Sequence, residues 1–220
     1  MCIRDRIDSA AALIFDMDGT LLDTEPLYTQ ATQRVLDAYG VTFTIELKQQ
    51  TMGGDSRAGA QTVINHFELP LTPEEYLKER ETHLLHLFPD APEIPGAADF
   101  VRSYAGKIPI GVATSSHKYL YDLKMQHRDW NVFDLIICGD DVRLERGKPE
   151  PDIFLLCAAD LGMAPEDCVA FEDSRNGLLA AKAAGMRVIA IDNPYVKPGA
   201  LDEADYKISH YNELTDTSAL

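Results

Sequence analysis

Short apolar runs punctuate this chain at residues 11–15, 108–113, 135–138, 168–171 and 187–191, with a weaker one at 206–209. Their length and their lack of a polar face predict strands covered on both sides. Between the later runs, residues 119–126, 152–161 and 177–184 carry apolar positions at helical spacing. Strand alternating with helix predicts a parallel sheet with helices on both faces.

One interval breaks this rhythm. Residues 24–92 hold no convincing strand, and helical spacing recurs at 27–39, 45–52, 57–67 and 73–87. The last of these starts well, with Thr72 placed to cap, Pro73 in the first turn and acids behind it. Residues 88–96 form a proline-rich return linker. The chain therefore reads as an α/β core, residues 7–23 and 93–220, interrupted after its first strand by an all-helical insert, 24–92.

Composition narrows the classes. A hydrophobic content of 45% and a charged content of 25% are ordinary for a globular chain of 220 residues. A formal net charge of −16 argues against a nucleic-acid polymer as partner, because phosphates need a basic face. It leaves a small phosphorylated metabolite open, since a metal and one or two lysines reverse the field locally. No run of about eighteen apolar residues predicts a membrane span. The cysteines Cys2, Cys138, Cys157 and Cys168 form no C-x-x-C pair and read as reduced thiols. With no apolar signal core at the N-terminus, the expectation is a cytoplasmic monomer. Met1–Arg6 resembles translated adapter sequence and is set aside from the fold expectation.

In an open parallel sheet, ligands gather beyond the C-terminal ends of the strands. The polar residues there are Asp16 and Asp18, Thr114–Ser116, Gly139–Asp141, and Glu172–Ser174, with Lys148 following the third group. Each alone has a bland reading: Asp-x-Asp-Gly as a turn, "TSS" and "EDS" as helix caps, Lys148 as a solvated loop residue. Their occurrence together at four strand ends suits one reaction. Converging carboxylates call for a divalent cation, and magnesium takes oxygen ligands. Asp16 and Asp173, with Glu172 nearby and the Asp18 main-chain carbonyl, are the candidate ligands. A carboxylate can accept a phosphoryl group. The Thr114 hydroxyl, the amides that follow it from Ser115, and Lys148 suit phosphate oxygens, and Asp18 suits proton transfer.

Taken in order, "FDMDGTLLDTE", "VATSS", "GKPEPDIF" and "FEDSRNG" resemble the four motifs of the haloacid dehalogenase superfamily, over residues 10–214. The resemblance implies a Rossmann-like core with a C1-type helical cap, and magnesium-dependent hydrolysis of a phosphate monoester through an aspartyl-phosphate. It implies Asp16 as nucleophile, Asp18 as general acid and base, Thr114, Ser115 and Lys148 as phosphate anchors, and Asp16, Asp18, Asp173 and Glu172 around the metal. Further likenesses, including "ATSS", "D-K-QHR" and "GDD", point to the group of pseudouridine-5′-phosphatase and the glycerol-3-phosphatases. Pseudouridine 5′-phosphate, a sugar phosphate or glycerol phosphate are then the candidate substrates. A β-phosphoglucomutase-like mutase is the rival, and Tyr28, where that group carries a histidine, favours hydrolysis. An inactive binding protein of the same fold is the second rival. Gly54, Asp55 and Arg57 in the cap loop are the specificity candidates, although basic residues often stand at the first two positions in the phosphatase group.

Overall fold

The computed structural model describes residues 3–51 and 56–215. Its centre is a six-stranded, all-parallel sheet. The strands are β1 (Ala12–Phe15), β2 (Ile110–Thr114), β3 (Leu135–Cys138), β4 (Cys168–Glu172), β5 (Arg187–Ile191) and β6 (Tyr206–Ile208), in the order β3-β2-β1-β4-β5-β6. The first strand is thus central, and the chain winds outward from it first one way and then the other. Such a reversal opens a crevice beyond the C-terminal end of β1.

Side chains alternate across the sheet, and both sides are covered. Leu13 and Phe15 point into one core with Val112, Val169 and Phe171; Ala12 and Ile14 point into the other with Ala170 and Val188. That is why the runs read as uninterrupted apolar stretches. Phe15 stacks on Phe171 with ring centroids 4.6 Å apart. Burying such a ring contributes about 2–3 kcal/mol.

Helices α1 (Ile3–Asp8), α6 (Ala97–Tyr104), α7 (Lys118–Met125), α8 (Asp152–Asp160), α9 (Arg175–Ala183) and α10 (Asn212–Thr215) accompany this sheet. Three of them, α1, α6 and α10, depart from the sequence expectation. Of the segment set aside at the N-terminus, Ile3–Arg6 belong to α1, which buries Ile7, and Arg187 donates to the Arg6 carbonyl. Right after the proline-rich linker, α6 buries Ala97, Ala98, Phe100 and Val101. Its two turns are too short for a periodicity scan to favour, and tertiary burial supplies most of the stability of so short a helix.

Between β1 and α6 lie α2 (Glu25–Asp37), α3 (Ile45–Thr51), α4 (Ser56–Phe67), α5 (Pro73–Leu87) and a 3-10 turn, Phe88–Asp90. Val35, Leu36, Leu47, Ala60, Val63, Ile64 and Tyr76 give these helices a core of their own. A second cluster, Ala31, Leu84 and Phe88, packs against Leu120 and Leu123 of α7 and so joins the insert to the sheet layer. At Thr72 the expected cap is a full capping box, in which its hydroxyl accepts from the Glu75 amide and Glu75 reaches back to the Thr72 amide. Such a box contributes about 1 kcal/mol.

Among the described residues no helix is long and apolar enough to cross a membrane, and Cys138, Cys157 and Cys168 are free and buried.

Candidate active site

Parallel pairing sets β1 between β2 and β4, with Phe15 level with both Val112 and Phe171. The residues that follow each strand therefore meet. Asp16 continues from β1, its amide donating to the Phe171 carbonyl. Glu172 ends β4 and Asp173 follows it. One carboxylate oxygen from each of Asp16, Glu172 and Asp173 lies within 4.8 Å of the others. Three buried carboxylates offering oxygens fit magnesium's preference for hard ligands and leave room for water and a substrate oxygen. They would hold the ion with no nitrogen or sulfur donor competing.

Lys148, just before α8, reaches back into this cluster. Its ammonium donates to Asp16 at 2.6 Å, Glu172 at 2.5 Å and the Ala113 carbonyl at 3.0 Å. Burial pushes the Asp16 carboxyl up to about 7; Lys148 opposes that shift, while Glu172 and Asp18 add to it. Asp173 is raised as well, by burial first and then by Glu172 and Asp16. Burial by itself favours neutral Lys148, yet the charges of Asp16 and Glu172 outweigh it and hold the ammonium firmly protonated. Three buried carboxylates thus face a single lysine, and two of them are pushed towards the neutral acid.

Glycines let these groups approach. A Cβ on Gly19, at φ +81°, would lie 2.0 Å from an Asp173 oxygen, and one on Gly177 would lie 1.7 Å from Glu172. A Cβ on Gly139 would meet the Ser115 carbonyl at 2.3 Å. Ser174 caps α9, accepting from the Gly177 amide while donating to Glu172. Glu172 also accepts from the Asp173 and Ser174 amides, so its carboxylate is held on all sides.

Thr114 ends β2 and is buried; the Ser116 amide donates to its hydroxyl at 3.1 Å. Thr114, Ser115, Lys148, Asp16, Asp18 and Asp173 all line one cavity of about 710 Å³. The remaining acids at the strand ends serve the scaffold instead. Asp140 accepts from the Lys118 amide at the start of α7, and Asp141 pairs with Arg143, whose hydrogen bonds hold its carboxyl down at about 2.

The carboxylate of Asp18 turns to Lys124 and Ser116. Burial alone would raise its pKa, but the charge and hydrogen bonds of Lys124 and Ser116 carry it below the ordinary value. Sequence reasoning did not single out Lys124. The signal was its phase: with Tyr121 and Met125 it occupies the buried stripe of α7, where a lysine needs a partner.

The helical insert contributes Tyr28, Leu77, Arg80, Glu81 and Leu84 to the lining of this cavity, and α7 contributes Tyr119 and Leu120. Arg57 is exposed, pairs with Glu74 and is not among the lining residues, whereas its neighbour Ser56 is. Gly54 and Asp55 lie outside the described residues. Lys48, buried in α3, donates to the Glu25 carbonyl and Thr29 hydroxyl at 2.7 Å and lies 3.7 Å from the ring centroid of Tyr195, in the loop after β5. It therefore links α3 of the insert to the loop after β5.

A doubly wound sheet with an insert after its first strand and this order of motifs defines the class, and comparison with known proteins agrees. The model of the haloacid dehalogenase-like hydrolase family matches residues 13–191, and the chain belongs to that family. It is 43% identical over 187 residues to a probable pseudouridine-5′-phosphatase of Drosophila melanogaster, covering 82% of this chain and 81% of that protein. It is 37% identical over 209 residues to (DL)-glycerol-3-phosphatase 2 of Arabidopsis thaliana, covering 91% and 87%. The crystal structure of CbbY from Rhodobacter sphaeroides with xylulose-(1,5)-bisphosphate superposes with a TM-score of 0.78 at 28% identity, over 93% of this chain and 96% of that one.

Proposed function

We propose that this hydrolase cleaves a small phosphate monoester, with magnesium, through phosphorylation of Asp16. The observation that carries the reading is the gathering of Asp16, Glu172 and Asp173, one carboxylate oxygen of each within 4.8 Å of the others, with Lys148 bridging two of them. The relatives named as phosphatases of pseudouridine phosphate and glycerol phosphate support it.

When bound, magnesium would draw the phosphate to the carboxylates and offset their mutual repulsion. Lys148 and the Thr114 hydroxyl take phosphate oxygens, and the amides after Thr114 add donors. Asp16 attacks phosphorus. Asp18, entering the cycle protonated, gives that proton to the departing alcohol oxygen and regains one from the water that frees Asp16. Residues 24–92 act as a cap over the core formed by 7–23 and 93–220, shutting out water while the ester reacts.

A cavity of about 710 Å³ exceeds what glycerol phosphate fills and suits a sugar or nucleoside phosphate. Arg80, which lines the cavity beside the rings of Tyr28 and Tyr76, is our candidate for a substrate contact from the insert, in place of the outward-facing Arg57. Tyr28 keeps its proton, because burial and then Asp18 push its pKa far up; this leaves the cap entrance without a proton shuttle and favours hydrolysis over a mutase.

The test is release of inorganic phosphate from a panel of phosphorylated nucleosides, sugars and polyols, with magnesium and with a chelator. Magnesium-dependent release is the expected result. Transfer of phosphate between positions of one sugar, with none released, would instead indicate a mutase. No turnover on any ester would leave a binding protein.

A further inference from the structure

The core contains a fully buried lysine that the reaction above does not use. Lys124 sits in the last turn of α7, its side chain 0% exposed. Its ammonium donates to both oxygens of Asp18, at 2.5 and 2.6 Å, and to the Ser116 hydroxyl at 2.9 Å. Ser116 donates in turn to Asp18 at 2.7 Å. The Phe88 ring lies 4.5 Å from the ammonium and closes that side with an apolar wall. The helix turn that carries Lys124 is itself fixed, since Arg128 donates to the Lys124 carbonyl and to the Ala91 carbonyl.

A buried ammonium is unfavourable unless its geometry satisfies it, and here one carboxylate takes two of its hydrogen bonds. The carboxylate so held is 19% exposed and faces the cavity, whereas Lys124 does not line it. Lys124 therefore cannot serve by touching the substrate. What it can do is deny Asp18 any rotation away from Ser116.

We propose that Lys124 is a positioning residue for the second half of the reaction. With Ser116, it holds the Asp18 carboxylate where it accepts a proton from the water attacking phosphorylated Asp16. This rests on the phosphatase reading. In that step the water oxygen bonds to phosphorus and the bond from phosphorus to the Asp16 oxygen breaks. The proton shed by water passes to Asp18, leaving inorganic phosphate and free Asp16. Without Lys124 the first half on an activated ester proceeds, because its leaving group needs no proton, and the second half stalls.

The experiment is stopped-flow hydrolysis of p-nitrophenyl phosphate with magnesium. Lys124→Met is expected to give a burst of about one nitrophenolate per chain, followed by a steady rate lowered on the order of 10²-fold. Asp18→Asn should behave alike, and combining the two should add nothing. Ser116→Ala, which leaves the buried ion pair intact, should show a smaller burst of the same kind and keeps the test available if Lys124→Met does not fold. Equal loss without a burst in folded variants, or additive losses in the double variant, would overturn the assignment. A folded wild-type chain with no turnover on any ester would sink the phosphatase reading, and this inference with it.

Discussion

The ammonium of Lys148 lies 2.6 Å from Oδ1 of Asp16, a residue 132 positions earlier in the chain, and 2.5 Å from Oε1 of Glu172. This lysine supplies positive charge to a cluster that repels itself. Lys148→Met should lower phosphate release on the order of 10²–10³-fold. It should also destabilise the ion-free chain by about 3–5 kcal/mol, because two buried carboxylates lose their counter-charge. Urea unfolding in chelator measures the second effect separately from the first.

Asp16→Asn separates chemistry from folding. Turnover should fall by at least about 10³-fold, since no carboxylate remains to accept the phosphoryl group. The thermal midpoint without metal should hold or rise, because the change removes a carboxylate that burial and its acidic neighbours disfavour. A variant that keeps its turnover would exclude Asp16 as nucleophile.

The raised pKa of Asp16 makes metal binding pH-dependent. The ion needs the anion, while the fold favours the acid up to about pH 7. Stabilisation by excess magnesium should therefore be large at pH 7.5 and fade as pH drops through about 7 towards 5.5, read as the shift in thermal midpoint. Without the ion the sign reverses. The folded chain binds this proton more tightly than the unfolded one, so its contribution to stability is lost as pH climbs from 3.8 towards about 7. The slope is on the order of 1 kcal/mol per pH unit. Asp173, also raised, adds in the same direction.

Gly19 and Gly177 should differ in how they fail. Gly19→Ala forces a Cβ into Asp173 at a positive φ, so magnesium affinity should fall at least tenfold by calorimetric titration. Gly177→Ala drives a Cβ into Glu172 inside a packed helix, and should destabilise by about 1–3 kcal/mol even in chelator.

On the insert, Arg80→Ala should raise KM for the preferred ester several-fold, with kcat little changed. Arg57→Ala should leave both within about twofold, because an exposed ion pair contributes under about 1 kcal/mol. Steady-state kinetics on one substrate compares the two; the reverse pattern would return the specificity role to Arg57.

Much of this was legible in the linear chain. The run at 11–15 reads as a strand because alternate side chains enter two different cores, and of the polar residues after the runs, Asp16, Thr114 and Asp173 line one cavity while Asp140 and Asp141 do not. The capping box at Thr72 is equally local. The short helix α6 stayed hidden, since its stability comes from Phe100 and Val101 meeting the core rather than from its own turns. The exposure of Arg57 was not legible, because nothing in its neighbourhood in sequence says which way a helix N-terminus faces.

What the sequence by itself determined is most of the inventory: the strands, the longer helices, and the acids and lysines that stand at the strand ends. Local periodicity and turn chemistry suffice for that, as both act over a few residues. Only the tertiary structure decided the partners. Strand order set β4 beside β1, so that Asp173 and Glu172 meet Asp16. The packing of α7 aimed Lys124 at Asp18, 106 residues away. Such pairings depend on how whole elements bury their faces against one another, which no window of neighbouring residues encodes.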